Sequence, residues 1–230
     1  MVTKIYLIRH CQSMGNIEHK FQGQYDADVS PAGEKQLELL GLRFRNEPID
    51  VIYTSPLKRA RLTAQAIARY HNGIEVVDEP GFIEMDVGEL EDRSLKELAL
   101  NYPETAEKWD KSPDLCEFPG GETMGQVYDR VNAALDRIIA ENPGRTVVVT
   151  THGGVLRNLY ARIQYGEPIG IRKSEVFGNT GVSTVIAQGG RLYFESINDL
   201  SHLPEDMRRP PTNFSFEKLK KSSGKKSIEK

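Results

Sequence analysis

The sequence predicts an α/β fold: a three-layer αβα sandwich around a mostly parallel central sheet. Three observations carry that prediction. Apolar runs of strand length recur along the chain, and segments of helical periodicity lie between them. Ser-Pro, Thr-x-x-Gln and Gly-rich punctuation marks the junctions. Strands that alternate with helices favour parallel pairing, with both faces of the sheet covered.

The elements follow in order. Lys4–Ile8 is the first strand run. The stretch "SPAGEKQLELLGLRF" opens a helix with Ser30 as N-cap and Pro31 at the first helical position. Val51–Thr54 is the second strand, and "SPLKRARLTAQAIARY" repeats the Ser-Pro opening at Ser55–Pro56. After a short strand at Glu75–Val77, residues 80–122 are the least regular part, a cap or loop excursion over one end of the sheet. Thr123 and Gln126 have capping-box spacing for the helix "TMGQVYDRVNAALDRIIA", which "NPG" ends. The strand Thr146–Thr151 passes almost directly into the helix "GGVLRNLYARIQ", with His152 between them. Strands Val182–Ala187 and Leu192–Ile197 complete the set. No internal repeat is visible, so residues 1–205 read as one domain and 206–230 as a disordered basic tail.

Bulk properties narrow the function. A chain of 230 residues has room for one substantial domain. Net charge is −3, but residues 217–230 carry six Lys and two Glu, +4, which leaves −7 on residues 1–216. That balance does not suggest a nucleic-acid binder. No stretch is apolar over the roughly 18 residues that suggest a membrane helix, and no secretory leader is evident. The two cysteines, Cys11 and Cys116, lack disulfide-framework or metal-site spacing, and a reducing cytoplasm is the expected compartment.

Reactive side chains concentrate at three strand-to-loop junctions: Arg9-His10, Arg59 in "TSPLKRA", and His152 ahead of Gly153-Gly154. Open α/β sheets bind ligands beyond the carboxyl ends of their strands, so the three can converge on one pocket. Two arginines and helix N-termini favour a dianionic oxygen cluster, and the glycines let an oxygen approach the backbone closely. Two histidines there suit a nucleophile and general acid, or donors to a phosphoryl group. No histidine or carboxylate stands at metal-ligand spacing with either, which favours a metal-free phosphoryl site without a cofactor. Taken singly, an Arg-His pair at a strand end is also compatible with a surface turn, and "HGG" with a tight turn.

Five blocks, in order, resemble the histidine phosphatase superfamily, which includes the cofactor-dependent phosphoglycerate mutases. They are "LIRHCQSMGNIEHKFQGQYDADVSPAGEKQ", "YTSPLKRARLTAQAI", "IEMDVGELED", "FPGGETMGQV" and "VVTTHGGVLRNL"; "SINDLSHL" resembles a closing segment. The resemblance implies that His10 becomes phosphorylated, that Arg9, Arg59 and His152 hold the phosphoryl oxygens, and that Glu84 protonates the leaving alcohol and then activates water. It further implies that Asn16, with the Gln22–Gly23 turn, completes the oxygen-binding shell, with Gly153 beside it. Two departures stand out. Cys11 replaces a usual glycine, and because neighbouring side chains on extended backbone point oppositely, it is expected to pack behind the site. Asp92 stands where glycine is frequent.

The implied activity is phosphomonoester hydrolysis through a phosphohistidine, as in metal-independent histidine acid phosphatase-type enzymes, on a small phosphorylated metabolite. The runner-up is a phosphoglycerate mutase, and a third reading is a non-catalytic phosphate-binding module. The acidic stretch "MDVGELED" after Glu84 would repel a triply charged phosphoglycerate, which favours the hydrolase. Specificity is assigned to the 17–29 loop and the 85–122 excursion, where Phe21, Tyr25 and Trp109 offer apolar contact. No nucleic-acid or membrane partner is implied, and nothing in the sequence fixes an oligomeric state.

Overall fold

The computed structural model describes residues 1–174 and 176–208. Residues 209–230 of the expected basic tail lie outside the described residues. A six-stranded sheet has the order β4-β3-β6-β1-β7-β8. Its strands are β1 (Val2–Arg9), β3 (Val51–Thr54), β4 (Val76–Asp78), β6 (Thr146–Thr151), β7 (Val182–Gln188) and β8 (Arg191–Asp199). The first four in chain order pair in parallel, with Ile5 opposite Val147 and Ile52 opposite Val148. The last two strands join by antiparallel pairing, β7 to β1 and β8 to β7. Gly189 and Gly190 join them at φ +58° and +75°, a left-handed pair that matches the twist of a two-residue hairpin.

Side-chain alternation along the parallel strands assigns the helices to their layers. Ile5, Leu7, Val147 and Val149 face α6 (Met124–Glu141) and α7 (Gly153–Tyr165), burying Val131, Leu135 and Leu159. Tyr6, Ile8, Ile52 and Val148 face α2 (Pro31–Phe44) and α3 (Lys58–Ala68), burying Leu40, Phe44 and Ile67. The result is the expected αβα sandwich. Ser30 caps α2 by accepting from the Gly33 N–H, and the Thr123–Gln126 capping box is formed.

The opening of α3 differs from the sequence reading. Leu57, not Ser55, is its N-cap, and the helix begins at Lys58. The Ser55 hydroxyl is instead bound to His152.

The excursion is less of a lid than its composition suggests. It comprises short 3₁₀ turns, the strand β5 (Arg93–Ser94), α4 (Leu95–Asn101) and α5 (Pro103–Lys111). Phe82, Val87, Leu90, Leu98 and Phe118 are buried in the same cluster as the α6/α7 face. β5 pairs with β2 (Lys20–Phe21), placing Phe21 opposite Arg93 and joining the excursion to the 17–29 loop. One wall of the cleft is therefore built from two segments far apart in sequence.

Candidate active site

Strand pairing assembles the centre. β1 and β6 end side by side, with Arg9 opposite Thr151, and the His10 N–H donates to the Thr151 carbonyl at 2.8 Å. The residues that follow these ends, His10 and His152, are thereby brought to a ring separation of 5.1 Å. Arg59 enters from the first turn of α3 with a side chain only 1% exposed. All three junctions meet.

The hydrogen bonds orient each group. His10 Nδ1 lies 2.6 Å from the Cys11 carbonyl, which can only accept. Nδ1 is thus the protonated nitrogen, and Nε2 keeps its lone pair. Burial, then Arg59 and Arg9, holds the His10 pKa well below the usual histidine value, so the ring is neutral. His152 is shifted the same way by burial, Arg59, His10 and Arg9. Its Nε2 is 2.7 Å from Ser55 Oγ, which also accepts from the Leu57 N–H. The serine hydroxyl can donate to Nε2, and with that bond made the ring carries its proton on Nδ1.

Both guanidiniums are clamped through their terminal nitrogens. Arg9 Nη1 donates to the Phe177 carbonyl at 2.6 Å, and Arg59 donates to the Tyr25 and Gly23 carbonyls at 2.8 and 2.7 Å. Burial lowers the Arg9 pKa to about 10, opposed by Glu84, and it stays charged at neutral pH. Three buried nitrogens next to His10 have no hydrogen-bond partner: Arg9 Nε, Arg59 Nε and His152 Nδ1. Buried donors are ordinarily paired, so three orphans around one imidazole mark a place for an oxygen-rich anion.

Glu84 lies at the start of α7, its carboxylate accepting from the Met85 and Gly154 N–H groups at 3.0 Å each. A Cβ on Gly154 would come within 2.5 Å of Glu84 Oε1, whereas one on Gly153 would meet only ordinary contacts beside Arg9. The tight demand for glycine therefore falls one residue later than the pocket-facing Gly153. Asn16 Oδ1 accepts from the Ser13 N–H and from Asn179 Nδ2, leaving the Asn16 amide NH₂ uncommitted. Gln22 accepts from Ser13 Oγ, and Gly23, at φ +48°, presents its carbonyl to Arg59.

Arg9, His10, Asn16, Arg59, Glu84 and Gly153 line one cavity of about 520 Å³, and Gln22 and Gly23 line it too, whereas His152 is fully buried behind that lining, against His10. Among the described residues, no group of three or more His, Cys, Asp or Glu is placed to hold a metal ion. No described helix is long and apolar enough to cross a membrane.

The acidic stretch after Glu84 does not act as a repelling lid, and that part of the sequence argument fails. Glu91 accepts from the Gln24 and Tyr25 N–H groups, Asp86 from Gly88, and Asp92 pairs with Lys20 at 2.9 Å. These carboxylates tie loops together and lie outside the cavity lining, which carries Lys20, Arg157 and Arg172 alongside Asp110 and Glu84. Asp92 sits at φ +57°, the left-handed conformation that accounts for glycine in its place elsewhere. Cys11 is fully buried beside Leu37 and Ala66, behind the site as expected. Burial pushes its thiol up to about 12, which makes it a packing group. Phe21 and Trp109 line the cavity and touch edge to face at 5.1 Å, whereas Tyr25 lies outside the lining.

Sequence reading did not single out Ser55 or Asn179, which bond to His152 and to the His10 carbonyl, or Arg157, which lines the cavity. Ser55 passed for a helix cap because Ser-Pro is a capping signature. Asn179, which also donates to the His10 carbonyl at 3.0 Å, lies outside every matching block.

A sandwich whose parallel strands deliver neutral histidines and clamped arginines to one crevice defines a phosphoryl-transfer enzyme of the phosphohistidine kind. Residues 5–200 match the histidine phosphatase superfamily (branch 1), and the chain belongs to that family. It is a phosphatase of that superfamily. It is 35% identical over 206 residues to phosphoserine phosphatase 1 of Hydrogenobacter thermophilus, covering 89% of this chain and 96% of that one. It is 36% identical over 204 residues to a metal-independent phosphoserine phosphatase of Arabidopsis thaliana, covering 88% and 84%. Among solved structures, a mutant of the Entamoeba histolytica phosphoserine phosphatase, in complex with phosphoserine, superposes with a TM-score of 0.75 at 29% identity. That match covers 88% of this chain and all of the other.

Proposed function

We propose that this protein is a metal-independent phosphatase of small phosphomonoesters, with phosphoserine as its leading substrate. The observation that carries the reading is the trio of orphaned buried donors around His10. A tetrahedral phosphoryl group offers the oxygens they lack, and the names of the relatives support phosphoserine as its carrier.

In the first step, His10 Nε2 attacks phosphorus and the P–O ester bond breaks. Arg9, Arg59 and His152 stabilise the charge on the equatorial oxygens, joined by the Asn16 amide. A proton carried in on the substrate's phosphate monoanion passes through Glu84 to the departing alkoxide, so the alcohol leaves neutral. In the second step a water attacks the phosphohistidine while Glu84 takes back a proton. The N–P bond breaks, and inorganic phosphate and the original imidazole are released. The low His10 pKa serves this cycle, because only a neutral ring has a lone pair to offer.

The test is steady-state phosphate release from phosphoserine, sugar phosphates and 3-phosphoglycerate, with excess chelator. Phosphoserine turnover is expected to survive chelation and to fall at least about a thousandfold in His10→Ala, the scale seen for loss of a nucleophile. Undiminished turnover by that variant would refute the assignment. Interconversion of phosphoglycerates much faster than hydrolysis would favour the mutase.

A further inference from the structure

The cavity wall holds a cation that the phosphoryl chemistry does not use. Arg157 projects from α7 three residues after Gly154, whose N–H holds Glu84. Residues three apart on a helix share a face, about one turn or 5 Å along the axis. Arg157 therefore lines the same cavity about one turn further along α7 than the N–H that holds Glu84, the group proposed to protonate the leaving alcohol.

Its surroundings distinguish it from the other cations of the wall. Arg172 is bound by both oxygens of Asp114 at 2.5 and 3.0 Å, and Lys20 is paired with Asp92 and Glu18. Arg157 donates only to neutral oxygens, from Nε to Ser174 Oγ at 2.8 Å and from Nη2 to the Ile171 carbonyl at 3.3 Å. Among the described residues it has no ion pair. Its guanidinium carbon sits 5.3 Å from the centre of the Trp109 ring, and Phe21 packs on that tryptophan. The side chain is half-buried and lines the cavity, and its withdrawal from water lowers its pKa, opposed by Glu84. Guanidiniums so enclosed are ordinarily paired, and a planar fork suits a carboxylate.

We propose that Arg157 is a specificity residue that binds a carboxylate on the leaving group, so that the enzyme selects phosphomonoesters of short hydroxy acids or amino acids. The assignment rests on the phosphatase reading above. Two carbons separate the ester oxygen of phosphoserine from its carboxyl carbon, a span of the same order as one helical turn. Ser174 and Trp109 are the positioning groups: one holds Nε, and the other covers the guanidinium face.

O-phosphoserine and O-phosphoethanolamine differ by that carboxylate alone. The experiment measures kcat/KM for both with wild type, Arg157→Gln and Arg157→Lys, checking each variant's fold by thermal melting. Wild type is expected to prefer phosphoserine by about tenfold or more, since a site built for a polar group discriminates strongly against its absence. Arg157→Gln is expected to shrink that ratio to within about threefold, and Arg157→Lys to leave an intermediate one. Equal kcat/KM values in wild type would overturn the proposal without recourse to any variant. A parallel fall on both substrates in Arg157→Gln would overturn it too. Absence of phosphate release from every monoester in wild type would instead overturn the phosphatase reading beneath it.

Discussion

At the scale of single residues, the site works through groups that fix protons in place. The Cys11 carbonyl holds the proton of His10 on Nδ1, and Ser55 does the complementary job for His152. Ser55→Ala removes the donor to His152 Nε2 and lets the ring take the other tautomer, with its acceptor nitrogen facing the phosphoryl group. Expected is a loss in kcat of about tenfold or more, for a net hydrogen-bond contribution near ~1 kcal/mol plus the misplaced proton. Thermal stability should change far less, and a melt beside the kinetics checks it. An unchanged kcat would show that Ser55 does not set the tautomer. The arginines and histidines were legible because they stand at strand ends, and Glu84 only because its block resembles the family's. Ser55 and Asn179 were not, because their roles depend on partners 97 and 169 positions away.

At the scale of elements, the position of His10, the proposed nucleophile, depends on how closely α2 can approach. Gly33, three residues from the Ser30 cap, has no room for a side chain: a Cβ would lie 2.2 Å from the Gln12 carbonyl oxygen and 2.7 Å from Val29. Gln12 is backbone two residues beyond His10. Gly33→Ala is therefore expected to cost about 1–3 kcal/mol, an overpacking penalty. Activity should fall with it as the His10 loop is pushed. A denaturant midpoint and phosphoserine kinetics measure the two, and a midpoint equal to wild type would show that the loop yields freely. The glycine was visible in the sequence as a helical residue only. That it faces a backbone oxygen follows from how α2 packs against the loop after β1. The same limit explains the excursion, whose short apolar runs carry no periodicity that reveals burial against α6 and α7.

At the scale of the whole molecule, three histidines keep depressed pKa values in the folded state. His10 and His152 lie well below the usual value, and His202, under burial and beside Arg43, is lowered to about 4. The unfolded chain protonates these rings near pH ~6.5, whereas the folded protein resists the proton. Below that pH the unfolded state binds more protons, so stability is retained above about 6.5 and lost as pH falls from there toward about 4. A Tm series from about pH 8 to about pH 4.5 should show the decline, with His202→Asn softening it. A Tm that stays level between about pH 6.5 and 4.5 in wild type would contradict these shifts. Over the same range, His10, the proposed nucleophile, should keep its neutral form near pH ~6.5, so kcat should lack an acid limb from His10 there.

Periodicity and punctuation sufficed to determine the sandwich, because strands and helices are specified by residues close together in the chain. They also pointed to Arg9, Arg59 and His152 as neighbours of one crevice, since strand ends of a parallel sheet open on one side, while the resemblance to the histidine phosphatases added Glu84 and Asn16. Only the tertiary structure decided the charge of that crevice. The acidic run after Glu84 turns its carboxylates onto backbone N–H groups and Lys20, while Arg157 and Arg172 line the cavity from a distant segment. A count of charges along the chain cannot anticipate this, because the field in a pocket depends on which charges are already paired and which still face the substrate.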